Sequence, residues 1–178
     1  MESLKTHSGS AMIEVLVTTV ILMVGLLGLA GLQSRVQSSE MEAYQRTQAL
    51  ILLSDMSNRI AINRAHAADY VTADYLGAGM DCPTSSVDAR EWCESLQGVA
   101  ETSGSARMGA MLGGRGCVEL RDDGSYMVTV AWQGLVPLSA PSVGTPCARG
   151  LYDNPGTPCV NDSCRRVVTT VVRVASLT

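Results

Sequence analysis

Residues 7–33, HSGSAMIEVLVTTVILMVGLLGLAGLQ, form a long and nearly uninterrupted apolar run. The 18 residues from Val15 to Leu32 carry no charge, and Glu14 stands directly before them. A helix of about 20 apolar residues is long enough to cross the hydrocarbon core of a membrane. The stretch therefore predicts a transmembrane helix at residues 10–33, with a single carboxylate near its start.

Glu14 restricts the possible roles of this apolar helix. A secretory signal peptide is one interpretation, but the apolar run is long for a signal peptide and no clean Ala-x-Ala cleavage site closes it. A plain single-span anchor is a second interpretation. Both leave Glu14 unexplained, because an acid in hydrocarbon costs a few kcal/mol and usually has a partner.

A third interpretation rests on residues 9–17, GSAMIEVLV, which resemble the cleavage signal of type IV pilins and type II secretion pseudopilins. In that family a prepilin peptidase cuts after the glycine and methylates the new amino group. The resemblance implies that residues 1–9 form a leader, that cleavage separates Gly9 from Ser10, and that Ser10 is N-methylated. Ser10 departs from the family pattern, in which Phe or Met is commoner at this position.

Glu14 then becomes the fifth residue of the mature chain, where the family places its glutamate. The resemblance implies an assembly ion pair between the Glu14 carboxylate of one subunit and the Ser10 amine of a neighbour. In a low-dielectric bundle of helices, loss of one partner of such a pair costs roughly 3–5 kcal/mol, so the pair would fix the register of docking. A glutamate that only reaches the membrane interface is the simpler alternative.

Helical spacing continues beyond the apolar run. Residues 34–66 contain neither Gly nor Pro, so we predict one helix from Met12 to His66, about 80 Å long. Five apolar residues of this segment share one face: Ala49, Leu52, Leu53, Met56 and Ile60. The segment 34–66 is thus predicted to be amphipathic and to pack on a globular head formed by residues 67–178.

The head is predicted to contain a short helix and an antiparallel sheet. The Pro-rich residues 137–159 indicate a loop, and residues 101–116 a flexible connection. The fold class is therefore α+β, and the resemblance implies the type IV pilin fold, a long N-terminal helix packed on a small antiparallel sheet. The predicted elements are a helix at Ser86–Leu96 and strands at Cys117–Arg121, Tyr126–Trp132 and Cys164–Ala175.

All six cysteines lie outside the apolar run, and their even number indicates disulfides formed in an oxidising compartment. No Cys-x-x-Cys occurs and both histidines lie apart from the cysteines in sequence, which disfavours a zinc site. Spacing alone leaves the pairing open. The pairs we favour are Cys82–Cys93, Cys117–Cys164 and Cys147–Cys159.

Charge and motifs exclude several function classes. The net charge is -4, and the leader holds one acid and one base, so cleavage leaves the balance unchanged. An acidic chain gives no electrostatic reason to bind nucleic acid. No nucleophile motif, phosphate loop or paired-carboxylate signature occurs, and Asp122–Gly124 is predicted to be a hairpin turn. The sequence thus predicts no enzyme activity, no cofactor and no metal.

A second resemblance points within the family. Residues 50–70, LILLSDMSNRIAINRAHAADY, resemble a segment of the type IV pilus modification proteins, a branch of minor pilins. Gly31 also stands where major pilins usually carry proline. The resemblance implies a minor pilin that primes assembly of a type IV pilus and is incorporated at its tip, supporting twitching motility and adhesion.

The same resemblance implies the partners and the location. The partners are prepilin peptidase, other minor pilins, the major pilin and a PilY-type tip adhesin. The chain is expected in the inner membrane with its head in the periplasm, and then in the cell-surface pilus. The alternatives are a minor pseudopilin of type II secretion, of the I type, and a membrane-anchored periplasmic module for binding or DNA uptake.

Overall fold

The computed structural model of the chain describes residues 8–99, 102–103, 106–107 and 111–175. The chain divides into a helical unit up to Met41 and a globular unit from Glu42 onward. Of the leader expected at residues 1–9, residues 1–7 lie outside the described part. The elements in chain order are α1 (Ser8–Ile62), a 3₁₀ helix (Arg64–Tyr70), β1 (Leu76–Gly77), α2 (Val87–Leu96), β2 (Thr102–Ser103), β3 (Ala106–Arg107), β4 (Arg115–Leu120), β5 (Tyr126–Gln133) and β6 (Arg165–Val172).

The predicted long helix is present, but α1 ends at Ile62, before the predicted end at His66. The Asn63 side chain donates a hydrogen bond to the Tyr70 hydroxyl at 3.2 Å. Asn favours such local bonds over continuation of a helix. His66 then adopts φ -121° and ψ 25°, so the chain passes into a 3₁₀ helix with a kink.

Four strands form one antiparallel sheet in the order β1-β4-β5-β6. The hairpin of β4 and β5 and the last strand β6 agree with the sequence prediction to within a few residues. Strands β1, β2 and β3 have two residues each, and the sequence prediction missed them. They lie in Gly-rich or Ser-rich stretches, where the side-chain alternation that reveals a strand is weak. The confirmed layout is α+β, a long apolar helix with a small antiparallel sheet.

The main core of the globular unit lies between α1, α2 and one face of the sheet. Four of the five residues in the predicted apolar stripe are at most 6% exposed, and Leu52 is partly buried beside them. Trp92 of α2 is fully buried, and its indole N–H donates to the Leu52 carbonyl at 2.9 Å. Helix α2 is therefore attached to α1 by both apolar packing and a directional bond.

Glycine at position 116 lets the Trp92 indole approach the sheet closely. A Cβ added at Gly116 of β4 would lie 2.2 Å from the nearest atom of the Trp92 ring. No side chain other than hydrogen fits between the strand and the ring at this position.

A smaller core covers the opposite face of the sheet. Cys117 and Ala131 alternate with the core residues Val118 and Val130, so they point to the other side of the strands. They pack with three residues of the long loop at 134–164, which has no regular element. The loop members of this second core are Cys147, Ala148 and Tyr152.

The disulfides agree with the sequence prediction at one pair. Cys82–Cys93 is present as expected, whereas the expected pairs Cys117–Cys164 and Cys147–Cys159 are wrong. Strand β5 lies between β4, which holds Cys117, and β6, which follows Cys164, so these two strands are about 9–10 Å apart. The residue of β6 level with Cys117 is Thr169, so Cys164 is displaced further along the sheet and lies beyond disulfide reach. The observed pairs are Cys117–Cys147 and Cys159–Cys164.

Candidate functional site on the apolar helix

The helical unit exposes an apolar surface that nothing in the described chain covers. Every large apolar side chain from Met12 to Leu32 is more than half exposed, with Val17 the least so at 52%. The most apolar window of the helix has a mean hydropathy of 2.5 and no buried residue. Such a surface requires a membrane or other protein to cover it. Helix α1 is therefore a candidate membrane span.

The few hydroxyl groups of this helix are satisfied locally. Thr18 and Thr19 each donate to the carbonyl oxygen of Val15 at 2.9 Å. Thr19 lies at the same distance from the Leu16 carbonyl. Side chains bonded back to the preceding turn leave no free donor in an apolar medium. These threonines are compatible with hydrocarbon.

Glu14 is the exception, because its carboxylate is exposed and pairs with no cation in the described part of the chain. The next charged residue along α1 is Arg35, which is 21 positions away, or about 30 Å along a helix. Among the described residues, therefore, no cation lies within reach of the Glu14 carboxylate.

Three glycines, Gly25, Gly28 and Gly31, recur at every third position of the span. A Cβ added at any of them would meet no atom within 4 Å. Nothing inside this chain therefore requires glycine there. Small residues on a helix surface permit another helix to approach closely, so these positions indicate helix–helix contact.

The globular unit contains a cluster of charged side chains centred on Arg59. This arginine bonds to Asp55 at 3.0 Å, to Asp88 at 2.7 Å and to Glu91 at 2.9 Å. The Tyr70 hydroxyl donates to Asp88 at 2.5 Å, and this bond, together with the nearby guanidinium, lowers the pKa of Asp88. Burial opposes the charge on Arg59, but the carboxylates around it raise its pKa. The cluster ties α2 to α1.

Replacing Arg59 with Gln should lower the free energy of unfolding by about 1–2 kcal/mol at neutral pH, because three carboxylates lose their shared cation. In the folded state the pKa of Asp88 lies below its ordinary value of 3.8. Above pH 3.8 its carboxylate therefore makes its full contribution to the free energy of unfolding. This contribution disappears as the pH falls through the lowered pKa of Asp88 in the folded state. The difference in free energy of unfolding between Arg59→Gln and the original protein should shrink in that pH range.

Urea unfolding of the full chain in detergent micelles, at neutral and acidic pH, measures both effects. Arg64→Gln is the matched control, because Arg64 is exposed and has no ion pair among the described residues. A pH-independent difference for Arg59→Gln would contradict the role given to Asp88.

Two further arginines, at the start of β6, are largely withdrawn from solvent. Arg165 is 1% exposed, pairs with Asp162 at 3.3 Å and donates to the carbonyl oxygens of Thr145 and Cys147. Arg166 is half-buried and donates to the Val136 carbonyl at 2.5 Å. Both side chains hold the long loop against the sheet, which no local sequence pattern reveals.

The predicted processing residues lie in the first turns of α1. Gly9 and Ser10 belong to this helix, although their side chains lie outside the described part, and Glu14 follows one turn later. In the described ranges no group of three His, Cys, Asp or Glu residues could hold a metal ion. Comparison of the chain with family models, with curated proteins and with solved structures gives no match.

Proposed function

We propose that this chain is a minor pilin of the PilV type, which primes assembly of a type IV pilus and is incorporated at its tip. The observation that carries the proposal is the lone carboxylate of Glu14, five positions after Gly9, at the start of an apolar run of α1 that is otherwise uncharged and whose large side chains are all more than half exposed. A structural subunit that polymerises through its helix accounts for both the uncovered surface and the acid. The pilus supports twitching motility and adhesion.

Cleavage supplies the missing counter-charge. When prepilin peptidase cuts after Gly9, the amino group of Ser10 becomes a cation and stays one after N-methylation. The amine of one subunit then pairs with the Glu14 carboxylate of its neighbour. An acid that is costly alone in hydrocarbon becomes tolerable only in the correct docking register.

The globular unit suits the periplasm. All six cysteines form disulfides, which persist in oxidising compartments. The subunit is stored in the inner membrane with this unit outside the cytoplasm, and then passes into the pilus. Its partners there are other minor pilins, the major pilin and a PilY-type tip adhesin.

Gly9→Val should abolish processing, because a branched side chain replaces the residue after which the peptidase cuts. The expected result is an intact mass equal to that of the uncleaved chain, without N-methylation. Ser8→Ala, one residue earlier, is the matched control and should be cleaved normally. Intact-mass measurement of the protein isolated from its native host decides this, and a cleaved Gly9→Val protein would refute the peptidase step.

Glu14→Ala should be cleaved and retained in the membrane but should enter pili at least about tenfold less, since the neighbouring amine loses its partner. Quantifying the subunit in filaments sheared from cells measures the effect. Glu40→Ala removes an exposed acid of α1 outside the apolar run and should leave incorporation unchanged. Equal recovery of Glu14→Ala in filaments would rule out the pairing role. Loss of type II secretion, with normal pili, would assign the chain to the pseudopilins.

A further inference from the structure

Arg115 of β4 lies between two tyrosine rings. Its guanidinium carbon is 5.1 Å from the centre of the Tyr75 ring and 4.9 Å from the centre of the Tyr152 ring. Cation–π contacts with two rings hold the planar group in one orientation. The arginine is half-buried, so it is presented rigidly rather than as a mobile surface charge.

No counter-charge accompanies this cation within the described residues, because no carboxylate oxygen lies within 4.0 Å of its guanidinium. Arg59 and Arg165, by contrast, each pair with acids. Burial raises the pKa of Tyr152 to about 12, although the adjacent Arg115 acts in the opposite direction. Tyr152 is therefore neutral at physiological pH and cannot balance the charge.

The hydrogen-bond donors of Arg115 are also incompletely used. Nη1 makes a long bond of 3.4 Å to the Gly113 carbonyl, and Nε is buried without a partner among the described residues. Nη2 lies near Gly79, where an added Cβ would be 3.5 Å from Nη2 and 3.7 Å from the Tyr75 hydroxyl. The guanidinium of Arg115 and the hydroxyl of Tyr75 thus both lie within 4 Å of the space beside Gly79.

We propose that Arg115 Nη2 and the Tyr75 hydroxyl form a binding site for a carboxylate. A planar guanidinium matches the two oxygens of a carboxylate, and the phenol can donate to the same group. One cation suits a ligand with one negative charge better than a phosphate with two. The other arginine near Tyr152, Arg165, is already neutralised by Asp162.

The ligand chemistry is shared by an acidic side chain of a partner protein and by a small organic acid. Gly79 has no side chain and therefore leaves room for either ligand. Its φ of +89° disfavours any larger residue at this position. This binding site is independent of the role proposed for the chain in a pilus.

The test follows the backbone amide of Gly79 by NMR, using the full chain in detergent micelles. Sodium acetate is titrated against sodium chloride at equal ionic strength, and sodium phosphate forms a third series. We expect a saturable shift with acetate, none with chloride, and weaker binding of phosphate. Absence of a saturable acetate effect, or tighter binding of phosphate, would overturn the proposal.

Variants separate the binding groups from general effects on the fold. Arg115→Gln should weaken acetate binding at least about tenfold, because it removes the charged donor. Tyr75→Phe keeps the ring and loses the hydroxyl, so a weakening of about threefold to tenfold is expected. Arg64→Gln, at an exposed arginine that stacks on no ring in the described ranges and lies away from the cavity at Gly79, should bind acetate normally. Unchanged affinity in a folded Arg115→Gln protein would refute the assignment.

A second pair of probes distinguishes an acidic side chain of a partner protein from a small organic acid as the ligand. N-acetyl-aspartic acid amide and its asparagine counterpart are titrated in the same way. Binding of the aspartate compound at least as tight as that of acetate indicates a protein side chain as the ligand. Binding of acetate alone indicates a small organic acid, and equal binding of the aspartate and asparagine compounds contradicts carboxylate recognition.

Discussion

Trp92→Ala is expected to lower the free energy of unfolding of the globular unit by about 3–5 kcal/mol, the loss typical of a fully buried aromatic side chain. The indole is 0% exposed and lies where α1, α2 and the sheet meet. Its removal leaves a cavity against all three and also breaks the 2.9 Å bond to the Leu52 carbonyl. The expected result is a lower urea midpoint, measured by circular dichroism on the full chain in micelles.

Two controls separate the contributions at this position. Trp92→Phe keeps an aromatic ring but loses the indole N–H, so its cost should be smaller, about 1–2 kcal/mol. Val87→Ala changes an exposed side chain of the same helix and should stay within about 0.5 kcal/mol of the original protein. A loss below about 1 kcal/mol for Trp92→Ala would show that the indole does not organise this core.

Gly116→Ala should be nearly as damaging, with a loss of about 3 kcal/mol, although it adds a single methyl group. The added Cβ would stand 2.2 Å, 2.7 Å and 2.8 Å from three atoms of the Trp92 ring. The ring cannot retreat, because it is fully buried and its N–H is fixed by the Leu52 carbonyl. Strand or helix must therefore shift, and the core around both is disturbed.

The same unfolding measurement tests this prediction. Gly144→Ala is the matched control, since an added Cβ there meets only the Ser142 hydroxyl at an ordinary 3.6 Å. In the Trp92→Phe background Gly116→Ala should cost clearly less, because the smaller ring leaves space for the methyl group. Equal costs in both backgrounds would show that the clash with the indole is not the cause.

Periodic and compositional features of the sequence predicted much of this fold. The uncharged run after Glu14 predicted the apolar helix, and the spacing of Ala49, Met56 and Ile60 predicted its buried face in the globular unit. Turn chemistry located the hairpin between β4 and β5, where Gly124 adopts a φ of +75°. Each of these signals is local, because it depends on residues within a few turns of one another.

Features set by tertiary contact were not predictable in this way. The partner of Cys117 depends on which loop covers the back of the sheet, and spacing cannot tell a neighbouring strand from one two strands away. The tyrosine rings around Arg115 come from positions 75 and 152, which no motif connects. Helical periodicity identified the apolar face of α1, but it could not show that α2 brings two acids to Arg59.

The position of β6 at the edge of the sheet affects how the globular unit can form during synthesis. Strand β5 needs partners on both sides, and one of them begins about 100 residues after α1 ends. The apolar face of α1 is therefore made long before the strand that completes the sheet packed against it. While the chain emerges, this face needs temporary protection, and factors that bind unfolded chains are expected to govern the yield of the folded protein.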